Sequence, residues 1–164
     1  MDSVLRNQLI ERYREGPAEV DRALAGITED ELDFRIADGE WTPREVVHHL
    51  ADSEMTSAIR IRRLIAEKEP LIVGYDQEEF ARRLYYGRPI AGSLLALAGA
   101  RMSTADFLAE FQESDWERFG THSEFPGPFT VIGWLEYYAD HAHDHAYQIR
   151  RSREAYRQRA VASE

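Results

Sequence analysis

Three of the chain's six histidines fall within five residues, at His141, His143 and His145. Residues four apart on a helix share a face, one turn above the other. His141 and His145 therefore point the same way, and His143 points to the other side. Two imidazoles at this spacing can grip one metal ion from a single helix. A third ligand must come from elsewhere, and the available donors are His48 and His49 in Trp41-Thr42-Pro43-Arg44-Glu45-Val46-Val47-His48-His49-Leu50. Neighbouring helical residues point about 100° apart, so at most one of that pair joins the site, and periodicity alone leaves open which. The bland alternative is that His141 and His145 are ordinary helix residues bonded to their neighbours. Ala142 stands where a zinc protease motif has its glutamate, which argues against peptide hydrolysis of that type.

Three imidazoles with an open fourth position suit zinc, nickel or iron(II). Such a set is neutral, so the ion keeps its full charge. It lowers the pKa of a water or of a substrate thiol and so generates a nucleophile at neutral pH. The chain has no cysteine, which removes disulfides, protein thiol nucleophiles and cysteine-ligated zinc together. Any thiol in the chemistry belongs to the substrate. Asp52, Glu54, Asp140, Asp144 and Gln148 are candidates for supporting or proton-transfer work. Gln148, one turn after His145, is placed to hold a ligand or substrate, while most of the acids read as helix surface. His122 and His143 are expected at the surface.

The elements that carry these residues are helical. Ser3 to about Ala25 has an apolar stripe at helical spacing, with Gly16-Pro17 as an expected kink or break. Thr28 with Glu31 marks a second, short helix start. The clearest start signal is Thr42, with Pro43 at the first helical position and Glu45 closing a capping box. That helix is expected to run to about Lys68, before Pro70, and places His48 and His49 in its second turn. Gly74-Tyr75-Asp76 reads as a cap, followed by a short helix to about Tyr86. Ser93 to about Phe111 is a third long helix, with Leu94, Leu95, Leu97, Ala98, Met102, Phe107, Leu108 and Phe111 as its apolar positions. Gly120 to Pro128 reads as an ordered loop or small hairpin. The last helix is expected from Thr130 past Arg150. Four long helices predict an all-α four-helix bundle, 1–164, in one domain, with short extra helices in the connections. Bundle cores commonly house metal sites.

Composition narrows the function. Apolar residues are 43% and charged residues 30% of the chain, as in folded soluble domains. The formal charge is −10, and basic residues are interleaved with acids. Nucleic-acid binders need a basic patch to displace counterions, so nucleic acid is not an expected partner. The apolar runs fall short of the ~20 residues that span a bilayer, and the N-terminus is too polar for a signal peptide. The expectation is a cytoplasmic protein with no membrane partner.

Taken together, these segments resemble a known family. The stretch from Trp41 to Ser53 resembles the N-terminal motif of the DinB-like superfamily, and in particular its YfiT-like branch of metal-dependent hydrolases and bacillithiol S-transferases. Pro70 to Asp76 is similar to the segment after that branch's second long helix. His141-Ala142-His143-Asp144-His145-Ala146-Tyr147-Gln148-Ile149 resembles its C-terminal histidine motif. The resemblance implies an up-down-down-up four-helix bundle, often a homodimer. It also implies one divalent metal ion per chain, zinc or nickel first and iron or manganese as alternatives, on His49, His141 and His145. Implied with it is transfer of a low-molecular-weight thiol to small electrophiles. The competing readings are hydrolysis by a metal-activated water and a metal-binding stress-response module without turnover. Asp144 departs from the pattern, because bacillithiol-transferase relatives often carry a further histidine there.

Overall fold

A computed structural model describes residues 1–162. Four long helices dominate it: α1 (Ser3–Leu24), α3 (Pro43–Ala66), α5 (Ala91–Ala109) and α7 (Val131–Val161). Three short helices lie between them: α2 (Glu29–Leu32), α4 (Gln77–Arg83) and α6 (Glu113–Trp116). Strands β1 (Leu71–Ile72), β2 (Phe119–His122) and β3 (Pro128–Thr130) complete the order. Among the described residues, no helix is long and apolar enough to cross a membrane.

The helix starts follow from local chemistry. Thr42 accepts from the Glu45 N–H, and the Glu45 carboxylate accepts from the Thr42 N–H at 2.8 Å. This satisfies two of the donors that a helix start leaves open. Thr28 and Glu31 do the same for α2, and Asp76 caps α4. Helix α4 ends at Arg83 and α3 at Ala66, slightly earlier than the sequence pattern suggests.

Cross-helix pairs give the directions. His48 meets Ser93 and Arg62 meets Thr104, so α3 and α5 run parallel. Tyr13 packs on Trp134 and Arg153 reaches the Ala23 carbonyl, so α1 and α7 run parallel. His49 lies beside His145 while Ser57 lies beside Trp134, so α3 and α7 are antiparallel. The bundle is up-down-down-up.

Two apolar clusters fill the bundle. One gathers Tyr13, Ile61, Leu64, Trp134 and Leu135, and the other Val20, Val46, Leu50, Leu97 and Ile149. A polar layer separates them along every long helix: Gly16 on α1, Glu54 on α3, Arg101 on α5 and His141 on α7. Arg101 is wholly buried. Its Nε donates to Glu54 Oε2 at 2.7 Å, Nη1 to the Tyr13 carbonyl at 2.7 Å and Nη2 to the Tyr138 carbonyl at 2.8 Å.

This layer explains why Gly16-Pro17 does not break α1, which runs unbroken from Ser3 to Leu24. Pro17 has no N–H to offer the carbonyl four residues back. That carbonyl belongs to Tyr13, and Arg101 supplies the missing donor. Gly16 makes the approach possible. A Cβ there would lie 2.2 Å from Arg101 Nη1 and 2.8 Å from the Ala142 Cβ.

The connection from Gly120 to Pro128 holds a hairpin, with β2 antiparallel to β3. The β2 strand also pairs in parallel with β1, Leu71 opposite Thr121 and Ile72 opposite His122. This pairing joins segments about fifty residues apart and carries no local signal.

Candidate metal centre

The second turn of α3 faces the middle of α7. Its capping box fixes the helix start, and burial of Val46, Val47 and Leu50 fixes its rotation. His49 then projects between His141 and His145, which stand one turn apart on α7. Ring centroids are 5.4 Å apart for His49–His141, 4.9 Å for His49–His145 and 4.7 Å for His141–His145. One nitrogen from each ring lies within 4.8 Å of the others. The Nε2 atoms of His49 and His141 are 3.4 Å apart. An ion with metal–nitrogen bonds of ~2.1 Å in tetrahedral geometry holds its ligand nitrogens ~3.4 Å apart.

Donor chemistry points the same way. His145 Nδ1 is 2.8 Å from Gln148 Oε1. The amide oxygen only accepts, so Nδ1 carries the hydrogen and Nε2 keeps its lone pair. Trp41 covers His49 edge-on at 4.6 Å, and Tyr137 stacks on His141 at 5.4 Å and 27°. His49 Nδ1 is buried without a partner.

Burial holds all three imidazoles neutral. Desolvation pushes His49 down to about 3, with His145 adding to the effect. Desolvation, then the neighbouring His145, His49 and Arg101, pushes His141 down to about 2. His145 is also lowered by burial, opposed by its bond to Gln148 and by Asp144. A metal ligand must present its lone pair, and these rings do so at neutral pH without first losing a proton.

A pH dependence follows for the metal-free protein. An exposed imidazole titrates near about 6.5. Below that pH the unfolded chain binds protons that the folded chain refuses, so stability falls as pH falls. The loss begins near pH ~6.5 and continues toward the depressed native values of His49 and His141. Thermal melting between about pH 7 and about pH 5 is expected to show a steeper decline for the metal-free wild type than for His49→Phe/His141→Phe. Equal slopes would show that the triad is not proton-excluding.

The remaining sequence candidates lie elsewhere. His48 is fully buried, but faces α5 and the α4–α5 connection. Its Nε2 is 3.0 Å from the Arg88 carbonyl and its Nδ1 2.8 Å from Ser93 Oγ, so both nitrogens are in use. Asp52, considered as a supporting residue, accepts from the Tyr86 hydroxyl at 2.7 Å. Glu54 is bound to Arg101 and to the Tyr13 and Ser57 hydroxyls. Asp140 pairs with Arg12 on α1. Asp144 is exposed beside His145. His143 is half-buried, with Nε2 2.8 Å from the Arg12 carbonyl. His122, expected at the surface, is only 7% exposed. Strand pairing with β1 and the rings of Phe125 and Phe129 enclose it.

Beside the centre lies a cavity of about 320 Å³. Its lining includes Ser53, one turn past His49, and Tyr137 and Tyr138, which pack on His141. Arg60, Tyr75, His122, Glu124, Phe125, Phe129 and Trp134 extend it toward the sheet. In the sequence Arg60 is one basic residue of a mixed charged run, and no local pattern marks it or Arg101.

Comparison with known proteins agrees with this architecture. A candidate metal-dependent hydrolase of Oceanobacillus iheyensis is 30% identical over 147 residues, 90% of this chain and 85% of the relative. YfiT of Bacillus subtilis, also named as a candidate metal-dependent hydrolase, is 30% identical over 145 residues, 88% of this chain and 82% of YfiT. The solved structure of YfiT, described as an unusual four-helix bundle, superposes with a TM-score of 0.88 at 28% identity. The superposition covers 98% of this chain and 90% of YfiT. The sequence model of the DinB superfamily matches residues 12–149, from the middle of α1 to past the last of the three histidines, and the chain belongs to that superfamily, in its YfiT-like branch.

Proposed function

We propose that this protein is a metal-dependent enzyme whose ligands are His49, His141 and His145, and that it transfers a small thiol to an electrophile. The observation that carries the reading is the convergence of three neutral imidazoles, two buried and His145 half-buried, with no acid among them. Zinc or nickel suits this donor set. A divalent ion there supplies a Lewis acid that lowers the pKa of a thiol or a water.

The protein's own residues orient and shield. Gln148 fixes the tautomer of His145. Trp41, Tyr137 and Tyr138 wall the rings and limit water. Transfer of a thiol needs no further base once its pKa is lowered: the proton goes to solvent, sulfur bonds to the electrophilic carbon, and the leaving group departs with its electron pair. Hydrolysis requires a group to manage the water's protons as well. Asp52 and Glu54, the nearest acids along α3, are committed to Tyr86 and Arg101. The names of the relatives favour the hydrolytic alternative.

Zinc- or nickel-loaded protein, incubated with cysteine or bacillithiol and a chloronitroarene, separates the two. Consumption of the arene that requires both thiol and metal is the expected result. Metal-dependent ester cleavage without thiol would replace transfer by hydrolysis.

A further inference from the structure

Two residues that line the cavity beside the histidines each hold a buried donor without a partner. One is Arg60 Nε and the other His122 Nε2. His122 Nδ1 accepts the Glu124 backbone N–H at 3.2 Å. The hydrogen of the neutral ring is therefore on Nε2, and that N–H has nowhere to go. Desolvation and the nearby Arg60 charge both keep this ring neutral. Arg60 is held in place by its terminal nitrogens, Nη2 on the Val73 carbonyl at 2.9 Å and Nη1 against the Tyr138 hydroxyl at 3.4 Å. Its Nε–H is left over. Leaving buried donors unpaired is costly, and such exceptions call for an explanation.

We infer that Arg60 and His122 together form an anchor for the carboxylate of a small substrate whose apolar or aromatic body fills the cavity. A carboxylate accepts from several donors at once, and here a fixed cation stands beside a neutral N–H donor. Phe125, Phe129 and Trp134 give the cavity an aromatic wall suited to a flat, apolar body. A cavity of about 320 Å³ lies at the small end of the range for ligand sites. Glu124, the one acid lining the cavity among the described residues, is exposed and packs its carboxylate against Gly74. As the substrate pocket of the metal centre, the anchor rests on the proposed function above. As a carboxylate site it does not, because none of its groups belongs to the triad.

Benzoate and its neutral isostere benzamide are suitable probes, titrated calorimetrically into the full-length protein both metal-free and zinc-loaded. Saturable benzoate binding in both forms is expected, with benzamide weaker by about tenfold or more. Arg60→Gln should weaken benzoate by a similar factor, and Glu124→Gln should keep or tighten it. Because Arg60 also ties down Val73, a melting curve accompanies that variant. If Arg60→Gln does not fold, the wild-type His122 ring is decisive: its Nε2–H resonance should shift with benzoate and stay put with benzamide. Equal binding of the two probes, undiminished binding by folded Arg60→Gln, loss of binding in Glu124→Gln, or an unmoved His122 signal would each overturn the anchor. Binding that survives in a protein unable to hold metal would separate the failure of the metal reading from that of this one.

Discussion

Replacing His141 with alanine is expected to abolish stoichiometric metal binding. The wild type should retain about one equivalent of a divalent ion after dialysis, by elemental analysis, and the variant none. The reason is geometric. His141 brings its Nε2 to 3.4 Å from that of His49 across the helix interface. Without it, His49 and His145 remain as two donors from two helices, and two imidazoles do not make a closed site. Gln148→Leu gives a graded comparison. It removes the partner of His145 Nδ1 but no ligand, so affinity should fall by about 10–100-fold rather than vanish. His143→Ala, on the far side of α7, should keep the full equivalent. If the wild type cannot be loaded with zinc, nickel, manganese or iron, the triad is a packed feature of the core. If His141→Ala keeps its metal, the ion sits elsewhere.

How much of this is readable in the chain depends on the range of the interaction. The α3 start is local, because Thr42, Pro43 and Glu45 act within one turn. The i,i+4 spacing of His141 and His145 is local as well. The choice between His48 and His49 is not. Both are buried, and only the packing of α5 against α3 decides that Ser93 takes one while α7 takes the other. On α5 the difficulty is of another kind. That helix is apolar on nearly every face, so amphipathicity does not orient it. Leu95 and Met102, two of its apolar positions, are 76% and 65% exposed, while Arg101 is inside. By its local rule the Gly16-Pro17 pair predicts a kink or break, yet the helix runs through it and the pair is a socket for that arginine from another helix. His122 became a buried residue through a strand pairing with β1 that no local pattern announces.

The largest effect on stability should come from Arg101→Leu. Arg101 and Glu54 are each about 1% exposed at the side chain and 2.7 Å apart. Removing the guanidinium leaves the Glu54 carboxylate uncompensated in the core, and strips the Tyr13 and Tyr138 carbonyls of their donor. It also removes the cation 4.3 Å above the Tyr13 ring. Breaking a buried pair in this way costs about 3–5 kcal/mol. For a chain of this size that corresponds to a melting temperature lower by about 6–20 °C. The double variant Glu54→Leu/Arg101→Leu removes both charges and should recover part of the loss, though not the two carbonyl bonds. The comparison matters for the metal centre. Tyr138 lies one turn before His141 and its neighbour Ala142 on α7, and Glu54 lies five residues after His49 on α3. Arg101 ties these two segments together and to α1. Arg101→Leu should therefore weaken metal binding without touching a ligand, and the double variant should leave it weakened even as stability returns. A variant that melts like the wild type would show that water or a local shift already satisfies Glu54. One that melts low yet binds metal fully would confine the clamp to stability.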